Sequence, residues 1–373
     1  MHCQHFGICG GCGLPAVPYQ TQLAMKRERL ETLLAVDVPP LVPSPREDRF
    51  RHKVSFVFGS DESGRRIVMG HYAQGGRTMV PVEECPVHSD RGNQLAFALR
   101  DQLTRARISP DLLRHVLIRT TESSRQAVMM LVVTGNDRSL RNPIRAFLGL
   151  ADAPDGFFIN VNDRPGPFMV GRETIRIAGR SHVRENALGP AFLISPAAFF
   201  QTNIGSTRSL IELVIAGVGG SRRVLDLYSG SGLFTIPMGL AGMLVTAVED
   251  NRQATDDAVL NLRLNRVPDG RVRLVRGRAE DALRRLARER FDAVVIDPPR
   301  QGCAAEVLPA ILQDLRPPRL VYVSCNPDIL AADLPVIRRA GYRIARLQPV
   351  DMFPHTDHIE TVVSFKRQGD RVP

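Results

Sequence analysis

Six cysteines divide into two sets along the chain. Cys3, Cys9 and Cys12 crowd a short glycine-rich stretch, and Cys85 lies far downstream in Glu84-Cys85-Pro86. Four thiolates of this kind hold either zinc or an iron–sulfur cluster, and spacing alone does not separate the two. So small a stretch cannot build an apolar core, so something else must order it. Cys325 belongs to different chemistry. It follows the apolar run Val321-Tyr322-Val323-Ser324 and precedes Asn326-Pro327, the pattern of a core strand ending at its cysteine. Ligands of open α/β sheets sit at that strand edge, and a thiolate there is a nucleophile. A buried, inert cysteine is the plain alternative. Against it stands Asp297, in Asp297-Pro298-Pro299-Arg300, which ends another apolar run and should face the same crevice. Further on, His355-Thr356-Asp357-His358-Ile359-Glu360-Thr361 leads into a final strand, and Glu360 near its start is a candidate general base. The two histidines of that stretch could instead serve a metal, but no further ligand cluster accompanies them. Cys303, in Gln301-Gly302-Cys303, has no evident partner.

A second constellation reads as a nucleotide site. Val224-Leu225-Asp226-Leu227-Tyr228-Ser229-Gly230-Ser231-Gly232-Leu233 is a strand, a tight glycine turn and a helix start. Glycines let the backbone approach a ligand closely, and the helix N-terminus follows. The next apolar run ends in Val248-Glu249-Asp250, where an acid can accept hydrogen bonds from ribose hydroxyls. Nicotinamide cofactors use a similar loop, but the third glycine of their fingerprint is missing here. With Asp297-Pro298-Pro299-Arg300 downstream, the set resembles the S-adenosylmethionine methyltransferases.

The elements that must hold these residues follow from periodicity. Tyr19–Leu34 reads as a helix, followed by a linker at Pro39, Pro40, Pro43 and Pro45. From Arg51 to about Asn162 the strands His52–Phe58, Ile67–Tyr72, His115–Thr120, Ala127–Val133 and Gly156–Val161 mix with helices at Asn93–Arg105 and Leu140–Leu148, which predicts an α+β unit. After about Gly189 short apolar runs alternate with helices: Val224–Tyr228, Leu244–Glu249, Val272–Val275, Ala293–Ile296 and Leu320–Ser324 are separated by helices at Leu233–Leu240, Gln253–Asn265, Asp281–Glu289 and Ala304–Leu315, with Asp328–Ala340 after the last. That alternation predicts an α/β, Rossmann-like, doubly wound parallel sheet. Net charge is +10, with Lys26, Lys53 and Lys366 the only lysines, so arginine carries the excess. Arginine forks suit phosphate, and the balance suggests a polyanionic partner. Arg49, Arg51 and Arg77 are candidate contacts. No apolar run is long enough to span a membrane, and Met1-His2-Cys3-Gln4-His5 lacks the start of a signal peptide, so a cytoplasmic protein is expected.

Four blocks in order resemble the RNA uridine-5 methyltransferase family, which modifies tRNA and 23S ribosomal RNA. They are Phe199-Phe200-Gln201-Thr202-Asn203, Asp226–Gly232, Asp297-Pro298-Pro299-Arg300, and Ser324-Cys325-Asn326-Pro327 with Glu360 downstream. The resemblance implies a class I methyltransferase fold, with Cys325 as nucleophile, Glu360 as proton acceptor, and Gln201, Tyr228, Glu249 and Asp297 lining the S-adenosylmethionine and uridine pockets. It also implies that Cys3, Cys9, Cys12 and Cys85 carry a [4Fe–4S] cluster of structural role, with zinc as the alternative. Residues 1–12 and 46–189 would form the cluster-bearing RNA-binding unit, 13–45 a helix and linker packing on the catalytic domain, and 190–373 that domain. The cluster pattern, and a start directly at the cysteines without an extra RNA-binding barrel, favour 23S rRNA over tRNA as partner. A monomer is expected. Rival readings are RNA cytosine-5 methylation by the same thiolate addition, and a non-enzymatic iron–sulfur RNA-binding protein. Two places depart from the family: Leu233 stands where members often have asparagine, so it receives no binding role, and the adenine-side loop Gly277-Arg278-Ala279-Glu280-Asp281 departs as well and is left unassigned.

Overall fold

Strand periodicity organises the first half of the chain. In the computed structural model, which describes residues 3–14, 16–64, 66–164 and 169–369, a seven-stranded sheet has the order β3-β2-β1-β4-β5-β6-β7. Its strands are β1 (Lys53–Ser60), β2 (Ile67–Tyr72), β3 (Met79–Pro81), β4 (Leu113–Thr120), β5 (Ala127–Val133), β6 (Gly156–Val161) and β7 (Glu173–Gly179). Only the β5–β6 pair is parallel. Helix α2 (Asp90–Arg105), N-capped by the Ser89 side chain, and α3 (Arg141–Leu148) cover one face. The alternation of β5 shows why both faces are dry: Met129 and Leu131 pack with Leu99 of α2 and Phe147 of α3, while Val128 and Met130 point the other way.

That other face meets the second half. A hairpin of β8 (Val183–Asn186) and β9 (Ala191–Ile194) supplies Val183, Phe192 and Ile194 to the same apolar cluster. Helix α4 (Ile204–Gly217), capped by Asn203, carries that cluster under a second seven-stranded sheet. Its elements are β10 (Arg223–Leu227), α5 (Thr235–Leu240), β11 (Leu244–Glu249), α6 (Arg252–Leu264), β12 (Val272–Arg276), α7 (Ala279–Leu286), β13 (Ala293–Ile296), α8 (Val307–Pro309), β14 (Arg319–Ser324), α9 (Pro327–Arg339), β15 (Tyr342–Val350) and β16 (Glu360–Arg367).

The five strands expected to run parallel in the second sheet do so, and two further strands join them. The order is β12-β11-β10-β13-β14-β16-β15, with the first five strands parallel and β16 antiparallel to both neighbours. The chain returns from β15 through a short loop, so β16 must run backwards. The helix expected at Ala304–Leu315 is split: α8 holds one turn, and Ala310–Leu315 continue as a wider π-type coil.

Helix α1 (Tyr19–Leu34) precedes the first sheet in sequence but packs on the second half. Leu30 and Leu34 share a cluster with Leu330, Leu334 and Ile337 of α9. Lys26 reaches the buried Asp351 at 2.7 Å, and Gln22 Nε2 lies 3.1 Å from His355 Nδ1. Among the described residues, no helix is long and apolar enough to cross a membrane.

Candidate active site

The strand order reverses between β10 and β13, and the carboxyl ends of parallel strands at such a point open a crevice. Leu227 of β10 pairs with Ile296 of β13, so the residues that follow, Tyr228 and Asp297, emerge side by side. Tyr228 has φ +62°, a left-handed conformation that side chains rarely adopt, and it turns the chain into the glycine loop. Gly230 at φ +56° and Gly232 at φ +94° complete the turn. Glu249 ends β11 with both carboxylate oxygens held: Gly230 N donates to Oε2 at 2.9 Å and Asn251 N to Oε1 at 2.8 Å. These bonds fix its orientation and leave lone pairs free for further donors. Burial is the first cause that raises its carboxyl above the ordinary range.

Tyr228 and Glu249 line a crevice of about 270 Å³, together with Gly277, Glu280 and Cys303. Two of those features received no role from the sequence. The loop at Gly277–Glu280 follows a strand end, which was the available signal. Cys303 is no isolated thiol, since it faces the Tyr228 hydroxyl, and burial pushes it up to about 12. Gln201 is buried on the segment between β9 and α4 and is not among the residues lining this crevice. Leu233 packs in the apolar core.

Register brings the chemical residues together. Ser324 of β14 pairs with Thr361 of β16, so the next residues outward, Cys325 and Glu360, flank one another at the same edge. Their mutual influence agrees. Burial first, then the charges of Glu360 and Asp297, push the Cys325 thiol up to about 11. Burial and Asp297 hold the Glu360 carboxyl well above the usual range. Asp297 follows β13 but, like Gln201, is not among the residues lining that crevice; burial and then Asp226 push its carboxyl up to about 7. Asp226 is fully buried, accepts from Thr235 Oγ1 at 2.5 Å, and is pushed up to about 7 by the same burial. Three acids and a thiol thus share few charges, a grouping that marks acid–base and nucleophilic sites. The Arg300 guanidinium pulls the thiol the other way and donates to His358 Nδ1 at 3.3 Å. His355 lies between Gln22 and the Glu47 carbonyl oxygen, which engage both of its ring nitrogens and leave neither to pair with His358 at a metal.

The second cysteine set also converges. Cys3, Cys9, Cys12 and Cys85 line one cavity of about 70 Å³ beside Arg51, His71 and His88. Burial raises the Cys12 thiol to about 12, with further contributions from Cys85, Cys9 and Cys3, while Arg51 opposes them. Cys85 is raised to about 11 chiefly by burial. Four thiols that would repel one another as thiolates call for a cationic centre, so the donor set fits either metal candidate. Arg51 lies beside Cys12 and Cys85, and Arg49 is paired with the exposed Glu84 and Asp90. Arg77 is exposed.

Comparison with known proteins now bears on this geometry. A family model described as tRNA (Uracil-5-)-methyltransferase matches residues 18–368. An uncharacterized RNA methyltransferase of Caldanaerobacter subterraneus subsp. tengcongensis is 32% identical over 383 residues, covering 98% of this chain and 84% of its own. One from Leptospira interrogans is 27% identical and covers 98% of both chains. Among solved structures, the Pyrococcus abyssi tRNA (uracil-54, C5)-methyltransferase in complex with S-adenosyl-L-homocysteine superposes with a TM-score of 0.83 at 27% identity, over 96% of this chain and 84% of that one.

Proposed function

The chain belongs to the tRNA (uracil-5-)-methyltransferase family, and on that premise we propose that it methylates C5 of a uridine in 23S rRNA, with Cys325 as nucleophile and Glu360 as proton acceptor. The chain is an S-adenosylmethionine-dependent RNA methyltransferase with a class I α/β fold. Supporting the residue assignment is the β14–β16 register, which brings Cys325 and Glu360 side by side at the carboxyl edge of β14.

C5 of uracil is a poor nucleophile. Addition of the Cys325 thiolate to C6 converts the ring to an enolate and makes C5 nucleophilic. When bound, S-adenosylmethionine supplies the methyl group. Glu360 then takes the C5 proton, and the Cys325–C6 bond breaks to return the thiolate. Glu249 would orient the cofactor ribose, with Tyr228 and Asp297 lining the pocket around it. Gln201, on its buried segment, would contribute to the cofactor and uridine pockets from the other side of the site. The target uridine must leave its stack to reach the crevice.

Cys3, Cys9, Cys12 and Cys85 would hold a [4Fe–4S] cluster that staples the N-terminal segment to the loop at Cys85. Residues 1–12 and 46–189 would bind RNA, 13–45 would brace the catalytic domain at 190–373, and the enzyme would act as a cytoplasmic monomer. The four-cysteine pattern favours 23S rRNA. The likeness to the Pyrococcus enzyme favours tRNA as the second reading.

The test uses 23S rRNA fragments and tRNA transcripts carrying 5-fluorouridine. Fluorine at C5 cannot leave as a proton, so a denaturation-resistant adduct at Cys325 is expected with the true substrate. An adduct on tRNA alone would keep the mechanism and change the target. Methyl transfer to unmodified RNA without any adduct would sink the role of Cys325, and 5-methylcytidine as product would sink the choice of base.

A further inference from the structure

The cysteine cavity holds two groups that the four-thiolate ligand set leaves unused. His71 projects from β2, and His88 lies three residues past Cys85. One ligand atom from each of His71, Cys85 and His88 lies within 4.8 Å of the others. His71 Nε2 and His88 Nδ1 are buried without any hydrogen-bond partner, and His88 is only 2% exposed. Buried polar atoms are almost always paired, so two orphans facing one cavity point to a partner that occupies it.

The rings are also held in place. His71 stacks on Phe56 at 5.0 Å, and His88 stands edge-on to Phe56 at 4.9 Å and to His71 at 5.2 Å. Asn93 grips Cys85 from both sides, accepting from its backbone N at 3.1 Å and donating to its carbonyl oxygen at 3.0 Å. The same Asn93 amide donates to the His88 carbonyl oxygen at 3.3 Å. The thiol and both imidazoles are therefore carried on a braced loop and a paired strand. Neither histidine replaces a missing cysteine, because four cysteines already line the cavity.

We propose that His71 and His88 donate hydrogen bonds to the sulfurs on the Cys85 side of the bound cluster and thereby set its reduction potential. The inference rests on the iron–sulfur reading above. Donors to cluster sulfurs stabilise the more negatively charged, reduced state, and so raise the potential. Arg51, beside Cys12 and Cys85, adds a fixed positive charge of the same effect. The consequence is a cluster easier to reduce than its four-cysteine ligation alone would make it.

The test uses the full chain, reconstituted anaerobically with ferrous iron and sulfide, and titrated with dithionite as the one-electron donor. His71→Phe keeps the stacking on Phe56 but loses the donor, and His88→Leu loses the other. Each is expected to shift the midpoint to more negative potential, and the double variant further. His71→Gln, which returns an amide N–H near the Nε2 position, and His88→Asn, which returns one near Nδ1, should recover most of the shift. Resonance Raman in D2O should shift the iron–thiolate bands of the unaltered protein more than those of the double variant, since backbone donors such as Gly11 N to Cys9 Sγ contribute to both. Unchanged potentials in variants that hold the cluster overturn the inference. Variants that hold no cluster, with no D2O effect in the unaltered protein, overturn it too. Uptake of zinc but not of iron and sulfide by the unaltered chain would overturn the cluster reading itself, and this inference with it.

Discussion

At the scale of single residues, the site is a problem of too few charges in a small space. A thiol raised to about 11 is not a resting thiolate, and the carboxyls beside it are part of the cause. Alkylation of Cys325 by iodoacetamide, followed by peptide mapping, is therefore expected to accelerate as pH rises toward that value. Asp297→Asn removes a negative charge near the sulfur, which makes the thiolate easier to form and moves the profile to lower pH. A profile that stays in place would mean that Asp297 does not act on the thiol. Glu360 carries the second prediction. Glu360→Gln still permits thiolate addition and methyl transfer but cannot accept the C5 proton. The variant should trap a covalent complex with unmodified RNA, visible as a denaturation-resistant band. Turnover should fall by about 100-fold or more, the contribution typical of a positioned general base. Cys325 and Asp297 stand out in the sequence because each follows an apolar run, and Glu360 because it opens one. His71 and His88 were not. Nothing in their spacing joins them, and only the pairing of β2 beside the Cys85 loop brings them to one cavity.

At the scale of elements, legibility followed burial. The strands β10, β11, β13 and β14 are apolar on both faces, so they stand out as short runs between helices. β7 and β15 do not. β7 is exposed along most of its length, and β15 carries Arg343, Arg346 and Pro349, as an edge strand can. Helix α4 is apolar around much of its circumference, which blurs the helical period. Helix α1 was readable as a helix, but what it packs on is a matter of tertiary structure. Lys26–Asp351 is a buried pair, with side chains 2% and 0% exposed, and burial opposes the lysine charge while Asp351 supports it. Lys26→Met would leave Asp351 charged and unpaired, at a cost of about 3–5 kcal/mol. Leu30→Ala should cost about 2–5 kcal/mol by opening a cavity against α9. Chemical denaturation followed by circular dichroism would measure both. Losses under about 1 kcal/mol would mean that α1 is a loose appendage.

At the scale of the whole molecule, the net charge of +10 is carried almost entirely by arginine. RNA binding should therefore weaken steeply with salt. A complex making about six to ten phosphate contacts loses roughly a thousandfold or more in affinity between about 50 and 200 mM salt. Filter binding across that range would measure the slope, and a flat response would argue against a charge-driven interface. Arg77→Ala, at an exposed arginine, should reduce the slope by about one unit if that side chain meets a phosphate. The placement of α1 has a further consequence, for how the protein is made. Lys26 and its partner Asp351 are 325 residues apart. Synthesis at about 5–20 residues per second separates their emergence by roughly 15 to 65 seconds. Throughout that interval the first sheet can form while Leu30 and Leu34 have nothing to cover them. A nascent chain stalled before α9 would display α1 with Leu30 and Leu34 uncovered, a mark by which quality-control factors could tell an unfinished copy from a finished one.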